Sequence, residues 1–486
     1  MTPGLAAALR RFGRTFWAAI AVELLHCLAS YTMLAYLIVY LAQDLGFGDL
    51  KASAMYGTML FMGYFLPILI GALADRYGFR QTMVVSLVVI TSGYFLMSQV
   101  TRHPAVFAAM MLIALGGAVM KPVIAGTVKA TSTDESRSLA FSVYYMSINV
   151  GSSVAPFLAN GVRTGTGHPA MIFVACGVVE ATAFAVTLLF FRNLPVAEEA
   201  RSKSLLTVLG EMVVVLGNPR AMATFAGVAA LFALRERLCS RFGLEPLDLF
   251  LVGAAWLAAN FLWDLLGRAV LGARWGRSAL LDRQRLGDAH LLAFILIMSG
   301  VWALYSQIWT NIPLYITALD PSMKGRIEWF QAVDPVMIVL LQVPIGKWMG
   351  RYRPLPSLVA GILVSAAAVG TIHLFGGTFG AWAVAIPLAI WAVGEMMFSP
   401  RSVEYVSVIA PRDKLALYIG YGFLPFAIGF GFGPSLGAHL VRFFQELGHP
   451  EWVWYAFGLW ALLVASALWL YDRRAGTGPS RLAPQG

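Results

Sequence analysis

The stretch Pro67-Ile68-Leu69-Ile70-Gly71-Ala72-Leu73-Ala74-Asp75-Arg76-Tyr77-Gly78-Phe79-Arg80 ends one apolar run, 53–74, and leads into another, 83–98. Between them stand three charges, a tyrosine and a glycine. Crossing a bilayer takes about 20 apolar residues, and the backbone of an isolated strand has no partners in lipid. The stretch therefore reads as two spanning helices joined by a short charged turn. The rest of the chain agrees. Of 486 residues, 59% are hydrophobic and 12% charged, with a mean hydropathy of +0.73. A soluble domain averages about 45–50% apolar and about 25% charged residues. A water-soluble enzyme or nucleic-acid binder is thereby excluded, and the fold class is all-α integral membrane.

Apolar segments fall at 15–41, 53–74, 83–98, 105–128, 139–158 and 170–191, and again at 291–317, 329–349, 358–375, 381–409, 415–441 and 452–471. This six-plus-six pattern predicts an N-terminal bundle over 1–192, a linker over 193–287, a C-terminal bundle over 288–472 and a cytoplasmic tail over 473–486. The linker holds two further apolar runs, 221–234 and 247–271, with Arg235, Arg237 and Arg241 between them. An extra helical hairpin is the first reading; interfacial or re-entrant helices are the second. The first segment is too long for a signal-peptide core and reads as a spanning helix. The net charge of +10 comes largely from loops on one side. Lys and Arg concentrate in alternate loops, which places both termini in the cytoplasm. Cys27, Cys176 and Cys239 are too scattered for a zinc site or disulfide framework, and no metal site is expected.

The 71–80 stretch resembles the G-x-L-a-D-R-x-G-R motif of the major facilitator superfamily. That resemblance implies two six-helix bundles and a cytoplasmic gate made by Asp75, Arg76 and Arg80. Asp75 would accept hydrogen bonds across the boundary between halves. An ordinary basic turn is the plainer alternative. A weak copy follows the eighth segment, where Pro344 and Gly346 precede Gly350-Arg351-Tyr352-Arg353. Corresponding positions of this kind are expected of a transporter built from repeats.

Ionisable residues inside spanning segments cost about 2.5–3.5 kcal/mol or more, so each is a functional candidate. They are Glu23, Lys121, Glu180, Asp334 and Glu395, with Arg401 and Glu404 nearer a helix end. Glu23, His26, Cys27 and Ser30 share one helix face, and the first two form a candidate proton-accepting pair. Lys121 needs an anionic partner, either a protein carboxylate or one on a substrate. Asp334 and Glu395 bring two acids to one cavity, so they bind an amine or one of them keeps a proton. Glu180 has no motif around it and reads as structural or interfacial.

At these residues the chain resembles the proton-dependent oligopeptide transporter family. Glu23 and Tyr31 match the family's first-helix E-x-x-E-R-F-x-Y-Y pattern, with His26 and Cys27 in place of the second acid and the arginine. Lys121-Pro122 matches the fourth helix. Phe141-Ser142-Val143-Tyr144-Tyr145-Met146-Ser147-Ile148-Asn149-Val150-Gly151 matches the fifth. Asp334 takes the place of an asparagine in the eighth, and Gly394-Glu395 with Ser399-Pro400 matches the tenth. The resemblance implies Tyr31, Lys121, Tyr145, Asn149, Asp334 and Glu395 as substrate contacts and Glu23 with His26 as proton-coupling residues. It implies proton-coupled symport of small peptides, or of peptide-like amine and carboxylate solutes, across a bacterial inner membrane. The partners are then cargo, protons and lipid, with no nucleic acid and no cofactor beyond the proton gradient. The added acid and missing arginine shift the cavity towards negative charge and towards amine-rich cargo. An exporter of drugs or metabolites, or a non-transporting receptor on the same fold, are the alternatives. No catalytic motif supports an enzyme.

Overall fold

The structure, a computed structural model, describes residues 11–133, 136–194, 289–409 and 421–474, together with Leu9 and parts of 223–270. Of the expected linker and tail, 195–222, 271–288 and 475–486 lie outside the described residues. Twelve long helices carry the fold. The first six are α1 (Arg14–Val39), α2 (Asp49–Tyr77), α3 (Phe79–Met97), α4 (His103–Ala130), α5 (Arg137–Thr166) and α6 (Met171–Phe190). Then come α7 (Ala289–Trp309), continued beyond Thr310 by Asn311–Leu319, and α8 (Ile327–Met349). The last four are α9 (Pro354–Gly370), continued by Ile372–Phe379, α10 (Ala385–Ile409), α11 (Leu424–Glu446) and α12 (Trp452–Arg474). No strand occurs among the described residues. Ten helical segments among the described residues are long and apolar enough to cross a membrane, so the chain is an integral membrane protein. Helices α2 and α5, of 29 and 30 residues, have the length to match them.

Local chemistry sets the helix ends. Pro104 and Pro354 occupy first-turn positions, where the missing N–H costs nothing. Gly167 closes α5 in the left-handed conformation, at φ 71°. Prolines inside α2, α4, α5, α8, α10 and α11 each remove one ladder hydrogen bond. Pro122 directly follows Lys121 and Pro335 directly follows Asp334.

The chain divides into two compact units, one formed by Met1–Ser202 with Phe294–Gly486 and the other by Lys203–Ala293. Within the smaller unit the described residues of 223–231 and 252–270 are helical, and the Trp256 indole donates to the Thr224 carbonyl at 3.3 Å. A short helix, Arg235–Phe242, lies between these stretches in sequence and ends at Gly243.

Within the larger unit, α1–α6 and α7–α12 form two halves. The halves meet where α2 packs on α11, α5 on α8, and α1 on α7 and α8. The closest approach is backbone to backbone: a Cβ on Gly57 would sit 2.4 Å from the Gly431 carbonyl oxygen. Beside it Tyr64 stacks on Phe426 and Phe430 at 5.5 and 5.3 Å.

At the end where α1 gives way to α2, ion pairs tie the halves together. The α1 helix finishes as a π-turn, Tyr40–Asp44, and its last two residues reach the other half. Asp44 pairs with Lys324 at 2.7 Å, and Gln43 donates to Thr317 at 2.9 Å. Deeper in, the Arg163 guanidinium of α5 grips Glu328 of α8 with two hydrogen bonds, at 2.6 and 2.8 Å. Glu328 is fully buried, and Arg163 also lies over the Tyr36 ring. Truncating one partner of such a pair strands the other charge, at about 3–5 kcal/mol. Arg163→Ala is therefore expected to lower the melting temperature of the detergent-purified protein clearly. The double reversal Arg163→Glu with Glu328→Arg should recover a good part of the loss, as measured by differential scanning fluorimetry. A double variant no better than the worse single reversal would show that the pair does not join the halves.

Candidate functional site

In the N-terminal half the ionisable groups within the helices include Glu23 and His26 of α1, Lys121 of α4 and Glu180 of α6. Glu23 is almost wholly buried and accepts from the Cys27 thiol at 3.6 Å. Lys121 of α4 and Tyr144 of α5 stand near its carboxylate. The Lys121 ammonium sits over the Tyr64 ring, 4.2 Å from its centroid, so that ring shields the charge on the side facing the other half. One turn above Glu23, His26 Nδ1 lies 2.7 Å from Glu180 Oε1 of α6. This pair bridges 154 residues of sequence, and nothing in the sequence pattern around Glu180 announces it. The only available signal was that Glu180 is the sole acid in an otherwise apolar 20-residue helix.

The C-terminal half holds acids without a described cation beside them. Tyr305 of α7 donates to Asp334 Oδ2 of α8 at 3.2 Å. Glu395 of α10 stands near both Asp334 and Tyr305. Asp334 Oδ1 and Glu395 Oε2 are buried without a partner. Two ionised carboxylates in contact repel each other, and a shared proton or a bound cation relieves the repulsion. The polar run Tyr305-Ser306-Gln307 inside apolar α7 was the sequence signal for Tyr305.

Tyrosines span the interval between these groups. Tyr31 of α1 packs near Trp309 of α7, with centroids 5.9 Å apart, and stands near Tyr64, Tyr145 and Glu395. Tyr145 of α5 reaches Ser399 of α10 and lies near Glu395. It remains 48% exposed. Asn149 is turned differently: its amide donates to the Tyr145 carbonyl of its own helix at 3.0 Å. Of the substrate-contact candidates, Tyr31, Tyr145 and Glu395 are thus neighbours. Lys121 joins them through Tyr64, and Asp334 through Glu395.

The gate candidates are placed less uniformly. The Asp75 side chain lies outside the described residues. Arg80 donates to the Leu188 carbonyl at 3.0 Å, capping the end of α6 within its own half. The Arg76 guanidinium lies 4.9 Å from the Tyr77 ring centroid, with one buried nitrogen unpartnered. On the matching turn of the other half, Arg401 of α10 bonds Glu404 and the carbonyls of Met349 and Tyr352, which holds the end of α8.

A cavity of about 630 Å³ opens at the opposite end, among Lys51, Tyr315, His373, Arg442, Glu451 and Trp454, and shares no lining residue with the central group. It does not hold the buried charges and is not the candidate site. Among the described residues no group of three or more His, Cys, Asp or Glu is placed to hold a metal.

Known proteins share this fold. Dipeptide and tripeptide permease A of Citrobacter koseri is 22% identical over 432 residues, covering 85% of this chain and 81% of its own. Dipeptide and tripeptide permease B of Edwardsiella piscicida is 24% identical over 458 residues, covering 88% and 86%. The crystal structure of a POT family transporter in complex with a thioalcohol-conjugated peptide superposes with a TM-score of 0.72 at 17% identity, covering 97% of this chain and all of that one. The model of the Major Facilitator Superfamily matches residues 20–400. That match starts in α1 and runs through the insert into α10, so the chain belongs to the Major Facilitator Superfamily.

Proposed function

We propose that the protein is a proton-coupled secondary transporter that moves small peptides, or peptide-like solutes with an amine and a carboxylate, by alternating access. The observation that carries this reading is the division of buried charge. One half offers the Lys121 ammonium and the other the Asp334 and Glu395 carboxyls, with Tyr31, Tyr64, Tyr145 and Tyr305 between them. A free peptide has the complementary ends: its carboxylate suits Lys121 and its amine suits the acid pair. The tyrosine hydroxyls offer hydrogen bonds to the amide between, and their rings accept varied side chains. The relatives, dipeptide and tripeptide permeases by name, support the same cargo class.

Coupling rests on Glu23 and His26. Without cargo, the Glu23 carboxylate stands near Lys121. A cargo carboxylate arriving at Lys121 competes with it, and a proton on Glu23 removes the competitor. Proton and cargo then favour the same state. In a bacterial inner membrane with both termini in the cytoplasm, the α1–α2 end faces outward. The Arg163–Glu328 and Asp44–Lys324 pairs are then the outer gate, and Asp75, Arg76 and Arg80 belong to the inner one. A second reading, export of cationic or amine-rich solutes, is favoured by the acid pair itself and by Cys27 standing where the related family has an arginine.

Proteoliposomes test the reading. An inward proton gradient should drive accumulation of Ala-Ala by the wild-type protein. Lys121→Ala should weaken Ala-Ala uptake by roughly 10- to 100-fold, the worth of one charged hydrogen bond. It should affect the C-terminally amidated dipeptide far less, and equal losses for both would remove Lys121 from the carboxylate site. Glu23→Gln should abolish gradient-driven accumulation while preserving Ala-Ala exchange across the membrane. Unchanged accumulation would take the coupling role away from Glu23.

A further inference from the structure

A buried acid outside the cargo-facing group remains unexplained. Glu180 of α6 has no exposed surface. One of its oxygens holds His26 Nδ1 at 2.7 Å, and the other has no partner. We infer that His26 and Glu180 together form a proton-binding site whose occupancy is linked to the arrival of a cargo carboxylate at Lys121. The inference deepens the proposed transport reading and depends on it for the cargo.

The geometry gives the dyad two consistent charge states, both net neutral: imidazolium with carboxylate, or imidazole with carboxylic acid. Losing the proton leaves a net negative charge where no water reaches Glu180, which is costly. The groups around the dyad decide when that loss is tolerable. On α1 they are Glu23 and Cys27, on α4 Lys121, and on α6 Cys176. On α3 Tyr94 lies near Glu180, and on α5 Tyr144 lies near Glu23. Gly117 of α4 keeps the ring's Cε1 edge open, since a Cβ there would stand 3.7 Å away. With Glu23 and Glu180 negative and Lys121 and His26 positive, the cluster balances. A cargo carboxylate at Lys121 adds one negative charge, and the imidazolium proton becomes harder to lose. By reciprocity, the protonated dyad favours carboxylate-bearing cargo. Unprotonated, it releases it. Glu180 acts through His26 and is a positioning residue; it does not touch cargo.

Binding of Ala-Ala to the purified full-length chain, measured by intrinsic tryptophan fluorescence between about pH 5.5 and 8.5, tests this. Wild-type affinity should fall by about tenfold or more as the pH rises. Glu180→Gln keeps an oxygen for the imidazole N–H but removes the charge, and it should flatten the dependence. His26→Gln removes the proton site from the other side and should flatten it equally. A Glu180→Gln protein with wild-type pH dependence overturns the inference, as does flattening by His26→Gln alone. The melting temperature, followed against pH without cargo, is the independent readout. The wild type should show a pH-dependent step that both variants lose, and absence of that step in the wild type also overturns the site. Should the wild type bind no Ala-Ala, the cargo reading fails and the melting profiles alone decide the dyad.

Discussion

A charge in hydrocarbon persists only beside a compensating charge or a dense set of hydrogen bonds. That rule organises this molecule. Arg163 answers Glu328, His26 answers Glu180, and Lys121 stands beside Glu23 and over the Tyr64 ring. Asp334 and Glu395 break the pattern, as two acids in contact with each other and a tyrosine. A compensated pair holds helices together. An uncompensated one is incomplete until a proton or cation arrives, and that is where a transporter gains by leaving the account open.

The two halves therefore do different work. The N-terminal half carries a balanced cluster in which every added charge must be met by another. The C-terminal half carries a deficit that a cationic group can fill. Tyr31, Tyr64, Tyr145 and Tyr305 lie between them, with apolar rings facing packed neighbours and hydroxyls facing the polar groups. In the transport reading proposed above, cargo that spans the interval would satisfy both halves at once.

Much of this was legible in the residues. Spanning helices follow from hydropathy alone, since lipid allows no other secondary structure for an open chain. Lys121-Pro122 and Gly394-Glu395 were identifiable because a charge in an apolar run has few innocent explanations. The partners were not legible. Arg163 and Glu328 are 165 residues apart and His26 and Glu180 are 154 apart, and helical periodicity says which face a residue occupies without saying which helix it meets. Local bonds were not legible either: the Asn149 amide donates to the Tyr145 carbonyl of its own helix, and Arg80 donates to the Leu188 carbonyl at the end of α6.

The contact between Gly57 and Gly431 has a mechanical meaning. Where two helices meet backbone to backbone, their axes come close, and a Cβ added to Gly57 would run into the Gly431 carbonyl. A larger residue at either position would spread α2 from α11 and draw Tyr64 away from Phe426 and Phe430.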